Sequence, residues 1–369
     1  MQSIDNIIQV TRSFHCTANT ATLKVFGSGH INNTFWLQNE LPGGSPYLLQ
    51  CINHQIFTDV EKLTENMCRV ISHLKQKVSA AGGDPDKEVM TLIPGKDGKY
   101  FYKDEYGSYW RMAYFLENTK TYDIVSTQKQ ARQAGIAFGR FQQMLSDMPA
   151  GVLHEVIPDF HNARKRLQAL DMAIANDPLH RLKEVSPEID YVKRYASAML
   201  YFEQPEQQSK LPKRVTHNDT KCNNVLLNMQ DEAQCVIDLD TVMDGYLAFD
   251  FGDAIRTIIN KAAEDEANIE NVQLNMPLFE AYTAAYLKEV AGFITPEETA
   301  SLIKGVMVLP YTQTVRFLTD YLNGDTYYKV KFAGHNLQRA RAQLQLFKQL
   351  YANRYALRKY IENEMRNYR

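Results

Sequence analysis

The chain has 369 residues, 44% of them hydrophobic, and its 41 Lys and Arg nearly balance 43 Asp and Glu for a formal net charge of -2. That is enough apolar content for one large core or two lobes, and the balance leaves no reason to expect a nucleic-acid partner, which needs a basic surface. No apolar run approaches the roughly 20 residues of a membrane span, and the first ten residues lack the pattern of a signal peptide, so a cytoplasmic protein with no membrane partner is expected. The cysteines, Cys16, Cys51, Cys68, Cys222 and Cys235, are odd in number and lack metal-ligand spacing, and they read as reduced thiols.

From the N-terminus, residues 22–26 and 33–37 are β-rich runs flanking Gly27-Ser28-Gly29-His30-Ile31-Asn32. This predicts a hairpin whose tight turn exposes backbone N–H groups, and glycine lets such a turn come close to phosphates. Gly27, Ser28 and Gly29 are therefore candidates for a nucleotide, although Gly-x-Gly between strands is in isolation an ordinary turn. His30 and Asn32 either reach a substrate hydroxyl or phosphate or are simply polar turn residues. A third strand, 47–52, follows a Pro-Gly-Gly turn. Thr58-Asp-Val-Glu61 has the form of a capping box; Val60, Leu63, Met67, Val70, Ile71, Leu74 and Val78 make one helical stripe, and Gly82-Gly83 ends it. Glu61 and Glu65 fall off that stripe. Residues 88–93, 99–103 and 108–115 are predicted as further strands, completing a small antiparallel lobe with one helix.

From Ser126 the periodicity turns helical. Ala131, Ala134, Phe138, Phe141 and Leu145 form a stripe, and Gly135 and Gly139 would let another helix approach closely. Helices are expected near 160–175 and 187–202, then a loop over 202–212. Short apolar runs at 225–227 and 235–237 enclose a polar loop, a hairpin signature. If Val225 pairs with Ile237, Asn224 and Asp238 lie opposite one another at its open end, and an amide oxygen with a carboxylate suits magnesium.

Just upstream, His217, Asp219 and Asn224 spell H-x-D-x-x-x-x-N. In phosphoryl transfer the loop Asp accepts the proton of the attacking hydroxyl, the Asn holds magnesium, and an Asp beyond the hairpin bridges metal and phosphates. Asp219 is thus the candidate catalytic residue, with Asn224 and Asp238 the candidate metal ligands. Lys221 either faces the transferred phosphate, offsetting charge in the transition state, or is an exposed loop lysine. His217 reads as a loop brace, and Cys222 as packing, because no His or Lys is placed to activate it. Asp250, in Asp250-Phe-Gly, opens the amphipathic run Phe251, Ala254, Ile255, Ile258, Ile259, where a carboxylate can cap a helix; Asp253 reads similarly. Asp240 is either a second metal ligand or the partner of a basic side chain. Thr295-Pro-Glu-Glu298 starts another helix. Residues 312–341 gather Arg316, Asp320, Asn323, Tyr327 and Tyr328, a mix that suits a neutral polyol and equally an ordinary helix-loop-helix.

The string from His217-Asn218-Asp219 through Asn224, with Ile237-Asp238-Leu239-Asp240, resembles the catalytic and metal segments of the aminoglycoside phosphotransferase and choline kinase group. The longer run His-Asn-Asp-Thr-Lys-Cys-Asn-Asn-Val-Leu, with Asp238-Leu-Asp-Thr-Val-Met and Asp250-Phe-Gly-Asp-Ala-Ile-Arg256, is similar to the N-acetylhexosamine 1-kinase branch. The resemblance implies an α+β, protein-kinase-like two-lobe fold, with a small antiparallel β N-lobe over 1–117 that binds nucleotide and a larger, mostly helical C-lobe over 118–369. It implies ATP and Mg2+ as cofactors, a small-molecule sugar as acceptor, a hinge at Phe115 to Glu117 that offers backbone groups to adenine, an Asp at position 250 that braces the catalytic loop, and substrate contact by Arg316. Gln50 stands where kinases carry a phosphate-binding lysine. A glutamine can donate a hydrogen bond to a phosphate but cannot neutralise it, so a lysine-glutamate clamp is not expected. A kinase for choline, ethanolamine or another amino alcohol, and a nucleotide-binding pseudokinase, are the alternative readings.

Overall fold

The computed structural model describes residues 4–27, 31–260 and 262–368. In chain order the first elements are α1 (Ile4–Thr11), β1 (Ala18–Val25), β2 (Asn33–Asn39), β3 (Tyr47–Ile52), α2 (Val60–Ala80), α3 (Pro85–Glu88), β4 (Leu92–Ile93), β5 (Tyr102–Lys103), β6 (Tyr109–Tyr114) and β7 (Thr119–Lys120). There follow α4 (Gln128–Leu145), α5 (Ala163–Asn176), α6 (Ser186–Met199), α7 (Pro205–Lys210), β8 (Arg214–Thr216), β9 (Val225–Asn228), β10 (Ala233–Val236) and β11 (Met243–Gly245). The chain closes with α8 (Leu247–Ile258), α9 (Met276–Val290), α10 (Pro296–Leu322) and α11 (His335–Arg366). It divides into two compact units, one of Met1–Lys120, Gly151–Ile157 and Leu226–Met243, the other of Thr121–Ala150, Pro158–Val225 and Asp244–Arg369.

In the first unit the main sheet runs β1-β2-β3-β6-β4, with β5 on β6, and its pairings are antiparallel. One face is apolar: Leu37, Tyr47, Leu49, Trp110 and Met112 pack on Ile7, Val10 and Phe14, so α1, which had no clear signature in the sequence, covers part of the core. The helix α2 buries the stripe expected of it. Its N-cap is Asp59 rather than Thr58: the Asp59 carboxylate accepts the Lys62 N–H at 3.1 Å and pairs with the Lys62 ammonium, a combination a threonine cannot match. Gly82, at φ +78°, lies past its end and Gly83 N–H returns to Val78 O, the left-handed stop that favours glycine. The expected strands at 88–93 and 99–103 shrink to β4 and β5. Pro85 at the first helical position and Asp84 as cap turn the preceding residues into α3, and the turn from Gly95 to Gly98 breaks the pairing. The second sheet of this unit runs β10-β9-β7. Asn66 on α2 holds residues 151–157 to the unit by donating to His154 O and accepting the His154 N–H, each at 2.8 Å.

In the second unit α4 packs on α9. A side chain at Gly135 would put its Cβ 2.5 Å from Tyr282 O, and one at Gly139 would press Glu289, so both glycines are required by the approach they were expected to allow. The helix α10 opens with the capping box of Thr295 and Glu298, and it packs on α8, α11 and α5. Glu298 also holds Arg214 at the start of β8 through paired contacts of 2.5 and 2.9 Å. Residues 202–212 are not loop throughout, since Pro205 starts the short helix α7. Among the described residues no helix is long and apolar enough to cross a membrane.

Candidate active site

The loop after β8 is fastened to the first turn of α8. Asp250 accepts the backbone N–H of His217 at 2.9 Å and of Asn218 at 2.7 Å, and the Gln142 side-chain amide from α4 at 2.5 Å. Thr220 Oγ1 donates to Asp250 O at 2.6 Å. Asp250 thus does not cap its own helix, whose N-cap is Tyr246; it spends its oxygens on the loop, as the family resemblance implied. Burial pushes its carboxyl up to about 6, against the N–H donors of His217 and Asn218 and the Gln142 amide, which favour the ionised form. Asn218 sits at φ +65°, a left-handed geometry that Asn tolerates, which turns the chain so that Asp219 leaves the core. His217 is fully buried between Phe138 and Phe141, and its Nδ1 accepts the Asp219 N–H at 3.3 Å. It is a brace, as read from the sequence.

Asp219 and Lys221 face each other, Nζ to Oδ1 3.1 Å. Burial raises the Asp219 carboxyl, but Lys221, His217 and Arg256 outweigh it and hold the group below the ordinary carboxylate range; Lys221 is raised, chiefly by Asp219. Asn224 donates its amide N–H to Asp219 O at 2.8 Å, so the amide plane is fixed with its oxygen turned away from that carbonyl. Asp253 pairs with Arg256 at 2.8 Å, and Arg256 with Glu264 at 2.6 Å, a structural role for Asp253. Burial pushes the Cys222 thiol up to about 12, in keeping with packing. His161, which the sequence reading missed, bonds Asn218 O through Nε2 at 2.9 Å. Burial brings its imidazole down to about 3, so it is neutral and donates that bond. Arg316 on α10 lies over the rings of Phe160 and Tyr328, and Arg166 donates to Asp159 O and Phe160 O.

In the first unit, Asp238 follows β10 at φ +62°, a left-handed conformation that Asp, like Asn, tolerates. Asp240 resolves to the partner of a basic side chain: both Nη1 and Nη2 of Arg111 donate to its carboxylate, Nη2 to Oδ2 at 2.9 Å, and Asn32 Nδ2 donates to Oδ2 at 2.8 Å. Asn32 also accepts the Asn53 N–H at 3.0 Å, which fits the polar-turn reading of that residue. Gln50 is engaged at both ends, accepting from Arg111 Nε at 2.8 Å and donating to Thr34 Oγ1 at 3.1 Å. Glu61 and Glu65 point outward, to Lys99 and to His154. Gly27 sits at φ +77°; Ser28, Gly29 and His30, the rest of the expected glycine turn, lie outside the described residues. Val25 and Phe26 are exposed beside it, and Phe26 meets Phe115 edge to face at 5.3 Å. The Phe115 N–H is taken by Pro46 O at 2.8 Å, and Glu117 is exposed. Arg111 was missed although its signal is present: it is the one charged residue in an aromatic and apolar strand, Tyr-Trp-Arg-Met-Ala-Tyr.

Residues 22–289 match the model of the phosphotransferase enzyme family. The chain belongs to that family. Solved structures with this fold include an aminoglycoside phosphotransferase from Alicyclobacillus acidocaldarius subsp. acidocaldarius DSM 446, at 11% identity and TM-score 0.58, covering 96% of each chain. A microcompartment-associated aminopropanol kinase is 14% identical, with TM-score 0.59, covering 95% of this chain and 98% of its own. A choline kinase from Cryptosporidium parvum Iowa II is 14% identical, with TM-score 0.55, covering 95% and 97%. At such identities the likeness is one of fold, α+β and protein-kinase-like, with antiparallel sheets and a helical C-terminal part. For this phosphotransferase, no group of three or more His, Cys, Asp or Glu among the described residues is arranged to hold a metal. Magnesium is a hard ion that takes one or two protein oxygens and completes its shell with water and phosphate; in the second unit the Asn224 amide is oriented by its bond to Asp219 O, and in the first unit the Asp238 carboxylate is exposed, each by itself a donor of the kind such an ion takes.

Proposed function

We propose that this phosphotransferase is an ATP- and magnesium-dependent kinase of the cytoplasm, with residues 1–117 as its nucleotide lobe and 118–369 as its catalytic and substrate lobe, and that it phosphorylates the anomeric hydroxyl of an N-acetylhexosamine. The observation that carries the chemistry is the fastening of the catalytic loop: Asp250 holds His217 and Asn218 by their N–H groups, leaving Asp219 ionised beside Lys221. In this reading Asp219 orients the acceptor hydroxyl and takes its proton as the O–P bond forms. Lys221 offsets charge on the transferred phosphoryl group. Asn224 and Asp238 hold magnesium, which when bound neutralises phosphate charge, and the glycine turn and the segment from Phe115 to Glu117 receive the nucleotide.

The hexosamine assignment rests on the run from His217 to Leu226 and on Arg316. Arg166 and Arg316 are close enough that, after burial, Arg316 is the main influence lowering Arg166. Two guanidinium groups flanked by Phe160 and Tyr328 suit the hydroxyls and acyl group of a neutral sugar and repel an ammonium, whereas an amine substrate needs an aromatic or acidic cage. A kinase for an amino alcohol is the second reading, favoured by the fold shared with the aminopropanol and choline kinases. Measuring ADP release with GlcNAc, GalNAc, choline and ethanolamine side by side, with the phosphate position assigned by NMR, separates the two. Turnover with the sugars and a phosphate on C1 supports the proposal; turnover with the amines alone overturns its substrate, and ATP binding without turnover of any acceptor points to a pseudokinase.

A further inference from the structure

Protein kinases position a nucleotide with an ion pair between a lysine of the third strand and a glutamate of the helix that follows. In this chain both partners are gone: the strand residue is Gln50, and the helix acids Glu61 and Glu65 face solvent. Arg111 is the cross-strand partner of Gln50 in the pairing of β3 with β6, and cross-strand partners project to the same side of a sheet. Its guanidinium is therefore delivered to the face a lysine at position 50 would have used, and Gln50 Oε1 steers it there at 2.8 Å. From α2, the residue that meets this guanidinium is Met67, its Sδ 3.0 Å from Nη1. The acid comes instead from the segment after β10, as Asp240. Both side chains of the pair are shielded, at 3% and 4% exposure. Asp238, at φ +62°, lies two residues from Asp240, and its charge reaches Arg111.

We propose that Arg111 and Asp240 form a relocated clamp, a pair of positioning residues that ties the segment from Asp238 to Asp240 to the sheet and so presents Asp238 to the cation of a metal-nucleotide complex. This rests on the reading of the chain as a nucleotide-dependent kinase. A buried pair cut on one side leaves an unpaired charge, whereas its replacement by apolar groups is often tolerated, so the main test is the double variant Arg111→Met/Asp240→Leu, with Gln50→Lys/Arg111→Met as a rescue that returns the cation to the third strand.

Three readouts are taken: the melting temperature without ligand, the amide hydrogen exchange of residues 238–242 without ligand, and the dissociation constant of ADP by calorimetry with and without Mg2+. The expected result for the double variant is faster exchange over 238–242 and at least a roughly tenfold loss in the gain that Mg2+ gives to ADP binding, while metal-free ADP binding changes less than about threefold. The Gln50→Lys/Arg111→Met chain should recover most of the magnesium-dependent gain, as a side chain that merely fills space would not. A folded double variant with wild-type exchange and wild-type magnesium dependence overturns the clamp. If the double variant does not fold, the rescue chain decides: magnesium-dependent binding no better than metal-free binding overturns the proposal. Failure of the wild-type chain to bind ADP with Mg2+ would instead reject the kinase reading on which the clamp depends.

Discussion

Asn218 donates its backbone N–H to Asp250 Oδ1 at 2.7 Å, and this bond, with its neighbour from His217, sets the loop from His217 to Asn224 on α8. Protonating Asp250 would turn one acceptor into an O–H facing backbone donors. Its carboxyl is raised from the ordinary 3.8 to about 6, so the folded chain holds this proton more tightly than the unfolded chain. The linked stability is fully present below about 3.8 and is lost as pH rises through about 6. The loop geometry has the opposite requirement, because it needs the ionised form. Activity should therefore fall on the acid side with an apparent pKa near 6 while the fold does not weaken in the same window. Asp250→Asn, which cannot titrate, should cost at least about tenfold in kcat and lose up to ~3 kcal/mol of the wild type's gain in stability between pH 7 and pH 4. Urea unfolding at several pH values, run beside a kcat profile, checks both signs.

Asp219→Asn keeps the shape of the loop and removes the proton acceptor. Turnover should drop by roughly 100 to 10,000-fold, the usual size of general-base assistance, with nucleotide affinity nearly unchanged. Steady-state kinetics beside an ADP titration makes the comparison, and full activity in the variant would reject the role.

The loop from His217 to Asn224 was legible as a unit because its signals are local: His217, Asp219 and Asn224 stand at fixed spacing, and the loop closes on itself through bonds such as Asn224 to Asp219 O. The hairpin and the glycine pair of α4 were legible for the same reason, since turn residues and helical period are short-range signals. The pairing of Arg111 with Asp240 was not, because the two are 129 positions apart and neither spacing nor period links them; only the pairing of β6 with β3 reveals that Arg111 stands beside Gln50. The shift of the helix cap from Thr58 to Asp59 arose from a competition one residue wide, decided by Lys62. Gln142 and His161 escaped notice because a single polar residue on an otherwise apolar helix face or in a loop carries no motif.

Lys221 is the largest influence lowering Asp219 once burial is set aside. Replacing it with Met should let the Asp219 carboxyl rise, and kcat at the optimum should fall because a cation near the phosphoryl group is lost. The acid limb of the wild type is set by Asp250 near 6, so the shift is read in an Asp250→Asn background, where the remaining acid limb of kcat/KM should move to higher pH with Lys221→Met. An unchanged acid limb there with reduced kcat would separate the two roles and leave only the second.

The approach of α4 to α9 makes a prediction about stability alone. At Gly135 an added Cβ would lie 2.5 Å from Tyr282 O and 3.0 Å from the Ala285 methyl, and since the first of these is backbone, the helices must separate to admit it. Gly135→Ala should destabilise the chain by ~1–3 kcal/mol, the cost of overpacking. Gly292, in the turn after α9, is the control: a Cβ there meets nothing within 4 Å, and Gly292→Ala should be neutral or stabilising by ~0.4–1 kcal/mol, through the lower entropy of the unfolded chain. Equal melting temperatures for the two variants would show that the α4–α9 contact yields without cost, and that the glycines at 135 and 139 are not what holds these helices at close range.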